Sequence, residues 1–205
     1  MTVNSCSTHN RQTGFTLIEV LIAFVILSVG LLGIVSLQAM SKTFTHQAVQ
    51  RTQAVSLADA IIERIRVNPT GLLTYTASAT VGGGTLGGLA GEPVPNCSSA
   101  ACNNIQLAVH DLWEWEQNMD GASVTAGGAN AAGLIAPQAC FSFVPRAGLA
   151  MTGFLTVRVQ WTGLNSISDA VTVAGTNCNA AVAENTDRFR RQVVVTTYVI
   201  DELEL

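Results

Sequence analysis

The sequence predicts an α+β protein in which a long N-terminal α-helix, membrane-spanning in its first half, covers one face of a C-terminal antiparallel β-sheet domain. Three observations carry this. Val20 to Ser41 is a run of 22 residues without an ionisable side chain. No proline occurs between Phe15 and Asn68, and helical spacing of apolar residues continues beyond the run. The last third of the chain alternates apolar and polar residues in the manner of half-buried strands.

The apolar run, at 1.5 Å rise per residue, makes a helix of about 33 Å, enough to cross a bilayer core. It is not an ordinary cleaved signal, because Gly14, the small residue suited to a cut, stands before the apolar body rather than after it. Arg11 and Lys42 flank the run too evenly to orient it by charge. Past it, Phe44, Ala48, Val55, Ala58, Ile62 and Ile65 recur at helical spacing between polar residues, and "VNPTG" ends the helix at Val67. Phe15 to Val67 would form a rod of about 80 Å. Its first half requires cover by lipid or by other subunits.

A connection follows, in which "VGGGTLGGLAG" formally satisfies the dinucleotide pattern G-x-G-x-x-G at Gly82, Gly84 and Gly87. That pattern needs a strand before it and a helix after it, whereas Pro93 and Pro95 follow here, so a flexible loop is expected. "NNIQLAVHDLWEWEQNM" predicts a helix capped by Asn103 or Asn104, with Ile105, Ala108, Val109, Leu112, Trp115 and Met119 on its buried face. Its Asp111, Glu114, Glu116 and Asp120 are expected to form a solvated face. "CFSFV", "FLTVRVQW" and "VVVTTYVI" then read as strands. The expected divisions are a segment 1–14, the helix 15–67, a connection 68–96 and a globular domain 97–205.

Of the 205 residues only 12% are charged, and the formal net charge of -4 gives no general attraction to nucleic acid. A membrane at the apolar run would separate Cys6 from Cys97, Cys102, Cys140 and Cys178, which resolves the odd count of five. Four cysteines in an exported domain suggest two disulfides with three possible connectivities. Cys97 with Cys102 and Cys140 with Cys178 is favoured: "CSSAAC" closes a short local loop, and the other two each flank strand-like sequence. A metal site competes poorly, lacking paired C-x-x-C spacing and having only His110 nearby.

No catalytic residue is expected. His9, His46 and His110 are scattered, and neighbouring helical residues such as His110 and Asp111 point about 100 degrees apart, so they are no ready base and orienter. There is no nucleophile elbow, phosphate loop or metalloprotease motif, and no cofactor is expected. Arg188, Arg190 and Arg191 form the basic cluster. It reads either as the solvated start of a strand or as a contact for a neighbouring subunit or anionic ligand.

"RQTGFTLIEVLIAFVILSVGLLGIVSLQ" resembles the start of type IV pilin-like proteins, whose precursors carry a polar leader ending in glycine, then phenylalanine, and a glutamate four residues on. More narrowly, "GLLGIVSLQ", "LADAIIERIRVNP", "QLAVHDLWEW", "VRVQW" and "RRQVVVTTYV" stand in the order of the minor pilins called PilV. The resemblance implies the type IV pilin fold, with segment 1–14 as the leader. It implies cutting by a prepilin peptidase between Gly14 and Phe15 on the cytoplasmic side of the inner membrane, methylation of Phe15, and a periplasmic domain after the span. The new amine, with an ordinary pKa of about 7.7–8.0, would meet Glu19 and fix register in a fibre. The implied partners are other minor pilins and the major pilin, and the implied role is initiating or capping the fibre. Alternatives are a pseudopilin of a type II secretion system and an adhesive or DNA-capturing pilin at the tip.

Overall fold

The computed structural model describes residues 14–78, 80–166, 178 and 188–204. Thirteen N-terminal residues, with Cys6, His9 and Arg11, lie outside the described residues. The chain divides into two units, Met1–Thr45 and His46–Leu205, and the helix α1 (Leu17–Val67) contributes to both.

In the first unit α1 contains an 18-residue stretch long and apolar enough to cross a membrane, with none of it buried inside the protein. Phe24, Leu32 and Leu37 are all largely exposed. An unbroken helix suits such surroundings, since every internal amide is satisfied within the helix itself and needs no water.

In the second unit α1 presents a buried stripe of Gln50, Ala54, Ala58, Ile61, Ile62 and Ile65. This differs from the expected face, because Val55 is substantially exposed and Ala48 is exposed. Val55 follows Ala54 by about 100 degrees around the helix, and the core cluster lies on the Ala54 side. The helix ends at Val67, one residue before the Asn68–Pro69 pair, and the chain passes through a 3-10 turn (Pro69–Gly71) into the short α2 (Leu72–Ala77).

Helix α3 (Asn104–Asp120) begins with a capping box: the Asn103 side chain accepts from the Gln106 amide, and the Gln106 side chain accepts from the Asn103 amide. It ends at Gly121 in the left-handed conformation, φ 67°. There the backbone passes so close to Gly133 that an added Cβ would lie 2.0 Å from the Gly133 nitrogen. Only glycine fits both demands. Ala108, Leu112, Trp115 and Met119 are buried as the periodicity predicts. Ile105 and Val109 are not; both remain well exposed, because the helix packs on one side only.

A two-residue hairpin, β1 (Thr125–Ala126) with β2 (Ala129–Asn130), leads to the main sheet. That sheet is antiparallel in the order β3 (Gln138–Pro145), β4 (Gly153–Thr162), β5 (Arg190–Val199). Leu155, Val157, Val159 and Trp161 of central β4 are buried on the face toward the helices. On the opposite face the register lines up Gln138, Gln160 and Gln192, and two turns of the pleat away Ser142, Thr156 and Thr196. Thr156 and Thr196 share a hydrogen bond of 3.0 Å between hydroxyls. One core cluster joins the α1 stripe, Leu72 and Tyr75 of α2, α3 and the inner face of the sheet.

The acidic residues of α3 are not the solvated face that was expected. Asp111 and Glu114 both accept from Arg64 of α1, at 2.9 and 2.7 Å, and the Tyr75 hydroxyl donates to Asp111. Hydrogen bonding to the Arg64 guanidinium holds the Glu114 carboxyl below its usual range. Burial pushes the Tyr75 hydroxyl above its usual range. Glu116, fully buried, accepts from the Gly82 amide at 2.9 Å, the Thr85 hydroxyl at 2.5 Å and the Leu86 amide at 2.9 Å. Asp120, one turn on, accepts from the amides of Gly83 and Gly84 at 2.8 and 2.9 Å. The glycine-rich loop is thus fastened to α3 by two carboxylates. Left-handed φ values of 118°, 70° and 77° at Gly82, Gly83 and Gly84 turn successive amides toward them.

Two predictions follow from this fastening, both for a chain shortened to begin at Thr43. Glu116→Gln leaves one of three loop donors facing an N–H group, so it should destabilise the domain by about 1–3 kcal/mol. Thermal unfolding with disulfides intact should then show a midpoint about 3–10 °C lower, while Glu63→Gln, at a largely exposed side chain, should stay within about 0.5 kcal/mol of the parent. An unchanged midpoint in Glu116→Gln would contradict the clasp. The second concerns acid. Because the Glu114 carboxyl is depressed in the folded state, its stabilisation is complete above the ordinary glutamate pKa of about 4.3 and lost as pH falls through the folded value. Glu114→Gln should therefore flatten the stability profile below about pH 4, by less than about 1 kcal/mol since both partners keep contact with water. Asp120, raised by burial, works with the opposite sign, losing its contribution as pH rises through its folded value. Parallel denaturant titrations at several pH values would expose either sign as wrong.

Candidate functional site

Gly14, Phe15 and Thr16 lead into α1, whose first turn carries Glu19. The amides of Glu19 and Val20 donate to the Thr16 carbonyl at 3.1 and 3.3 Å, so the helix is nucleated immediately after Phe15. A carboxylate in a first turn is favoured by the helix dipole and by the unpaired amides there. Phe15 is 83% exposed, and the space around the Gly14 Cα is open, with no atom within 4 Å of a built Cβ. Phe15 and Glu19 line one shallow concavity with Ala23, Phe24 and Leu27. Glu19 is consequently an acceptor set in an apolar stripe, open to a cation that approaches from outside the chain.

Cys97 is bonded to Cys102 in the loop before α3, with Cα atoms 5.6 Å apart. Cys140 of β3 is bonded to Cys178, with Cα atoms 5.3 Å apart. Cys178 also donates its amide to the Gln160 side chain at 3.3 Å.

Among the described residues, the two histidines stand apart from each other. His46 is exposed on α1. His110 is buried on α3, its ring tilted against Trp113 at 5.8 Å, and its Nε2 has no hydrogen-bond partner among the described residues. Its neighbour Asp111 is engaged by Arg64 and Tyr75 instead. Among the described residues no group of three or more His, Cys, Asp and Glu could hold a metal ion. The G-x-G-x-x-G match offers nothing to a pyrophosphate, because the Gly82, Gly83 and Gly84 amides already donate to Glu116 and Asp120.

In the basic cluster, Arg190 donates to the Ala136 carbonyl and the Gln138 side chain, both at 2.8 Å. Arg191 donates to the carbonyls of Arg188, Phe189 and Asn165. These two guanidiniums tie the start of β5 to its surroundings, which accounts for them without an anionic ligand. Sequence reading missed the Arg64 network and the double carboxylate clasp. The available signal was Glu116 and Asp120 at i, i+4, on one helix face, downstream of a loop rich in free amides.

Two family models match the chain. The prokaryotic N-terminal methylation motif matches residues 9–35 and therefore contains Gly14, Phe15 and Glu19. The family described as Type IV pilin Tt1218 matches residues 36–113, which covers the rest of α1, the glycine-rich loop and the start of α3. No curated protein and no solved structure matches the chain. The second match begins at the residue after the first ends, and the fold beneath them is an apolar N-terminal helix continued into a small antiparallel sheet domain; together these support a type IV pilin-like protein.

Proposed function

We propose that this chain is a minor pilin of the PilV kind, a non-enzymatic subunit that helps to initiate or cap a type IV pilus. The observation that carries the reading is the methylation motif over 9–35 running directly into pilin sequence. The minor role is supported by the order of "LADAIIERIRVNP", "QLAVHDLWEW" and "RRQVVVTTYV" along the chain. The leader 1–14 is removed by a prepilin peptidase at the cytoplasmic face, Phe15 is methylated, and the unit from His46 onward lies in the periplasm before assembly. The disulfides between Cys97 and Cys102 and between Cys140 and Cys178 suit that oxidising compartment.

Glu19 answers why a carboxylate stands in an apolar stripe. Cutting before Phe15 creates a cationic amine, and in a fibre the amine of an adjacent subunit meets Glu19. A pair withdrawn from water gains little net stability, since desolvation offsets much of the attraction. What it specifies is axial register, because any other offset leaves a charge unpaired in hydrocarbon at a cost of several kcal/mol.

Glu19→Ala should therefore leave insertion, cutting and methylation intact while lowering incorporation into sheared fibres at least tenfold. Glu19→Gln should behave alike, as it keeps shape and hydrogen bonding but not charge. Immunoblots of membranes and fibres decide this, and equal incorporation of all three proteins would remove Glu19 from assembly. A deletion strain separates the pilus from the secretion system: surface pili should fall several-fold with exported enzymes unchanged. Loss of enzyme secretion with normal pili would assign the chain to a type II pseudopilus.

A further inference from the structure

In the second unit an exposed flank of α1 carries two charges of opposite sign that the fold leaves unused. Arg51 and Asp59 are both exposed, and neither has a hydrogen-bond or ion-pair partner among the described residues. They border one shallow concavity together with Thr52, Val55 and Ser56. Arg51, Val55 and Asp59 stand at i, i+4 and i+8, so the charges lie about 12 Å apart along the helix axis with Val55 between them. Val55 is itself 38% exposed and gives the flank an apolar centre. Asp59 also precedes Glu63 by one turn, a like-charge spacing that is unfavourable on a helix. Glu63 has Arg66 as its cation, whereas Asp59 lacks one among the described residues.

We infer that this flank is the contact through which copies of the chain associate side by side, with Arg51 of one copy set against Asp59 of the next. The patch carries its own complement, which is the reason for naming a second copy as its occupant. Copies anchored in one membrane by the same apolar stretch meet in the same sense. With no offset between them, Arg51 would face Arg51 and Asp59 would face Asp59. Displaced by eight residues, about 12 Å, opposite charges meet instead. An exposed ion pair adds little affinity. The contrast between matched and like charges nevertheless selects one offset among those that parallel helices could take. The two side chains stand about 80 degrees apart around the helix, so a copy that offers Asp59 to one neighbour keeps Arg51 for another. A head-to-tail contact displaced along its axis does not close into a ring and leaves both ends open to further copies. The inference requires membrane anchoring alone and does not rest on the pilus reading.

The test co-expresses two differently tagged full-length chains, extracts them in mild detergent and measures how much of one is recovered with the other. The parent should recover its second copy, and failure to do so would overturn the inference. Arg51→Asp in both chains, or Asp59→Arg in both, sets like charges at the contact and should lower recovery about three- to tenfold. A chain with Arg51→Asp co-expressed with a chain with Asp59→Arg regains opposite charges and should return to at least the parent's recovery, a result that misfolding does not imitate. The double exchange, Arg51→Asp with Asp59→Arg in both chains, should also return. Single variants that recover like the parent, or a mixed pair no better than the single variants, would overturn the contact. Poor recovery of the parent beside strong recovery of the mixed pair would set the helices in register and overturn the offset. Raising salt from about 0.1 M to about 1 M shortens the screening length from about 10 to about 3 Å and should weaken recovery of the parent. Recovery indifferent to salt would assign the contact to Val55 and overturn the charge pairing.

Discussion

Contact between α1 and α3 is the constraint on which the folded unit rests. The Ala54, Ala58, Ile61 and Ile65 stripe is the shared wall against which both α3 and the inner face of the sheet are packed in a single core. The contact is tied by polar groups as well. Trp115 of α3 donates its indole N–H to the Leu57 carbonyl of α1 at 2.8 Å, and Arg64 reaches Asp111 and Glu114. A tryptophan buried with its N–H satisfied adds apolar area without leaving a polar atom unmatched.

From that contact the acidic face of α3 acquires its use. With its apolar side held against α1 and the sheet, α3 presents Glu116 and Asp120 to the loop that returns from α2. A loop of successive glycines exposes many amide donors and supplies no side chains to cover them. Carboxylates are the strongest acceptors available for such donors, and hydrogen bonds to a charged acceptor exceed neutral ones roughly twofold. The clasp thereby lets a segment with little apolar content become part of a packed structure. The Val81 and Ala139 amides complete it by exchanging hydrogen bonds at the sheet edge, at 2.9 and 2.7 Å.

The same helix serves two surroundings. In its first unit the side chains of α1 are apolar apart from Glu19, Gln38, Lys42 and a few hydroxyls, and hydroxyls such as Ser28 are satisfied by the carbonyl a turn before, here Val25 at 2.8 Å. In its second unit the stripe is apolar and the flanks are charged. A pilin subunit has to be stored in lipid and then packed in a fibre, and a helix satisfied internally can change its cover without breaking a backbone bond.

The sequence by itself determined the elements whose signals are local or periodic. The apolar run, the Asn68–Pro69 stop, the Asn103 cap and the alternation of Leu155, Val157, Val159 and Trp161 all act within a few residues, so one chain suffices to read them. The N-terminal methylation motif was legible for the same reason, being a fixed spacing of Gly14, Phe15 and Glu19. Only the tertiary structure decided which side of each helix is covered, leaving Val55, Ile105 and Val109 outside despite their hydrophobicity. It also decided the fate of the polar residues. Asp111, Glu114, Glu116 and Asp120 look alike along the helix, yet two meet Arg64 from 47 and 50 residues away and two meet a loop more than 30 residues earlier. A charge reveals its capacity for hydrogen bonding in sequence, but its partner is chosen by packing between segments distant in the chain, and that choice leaves no local mark.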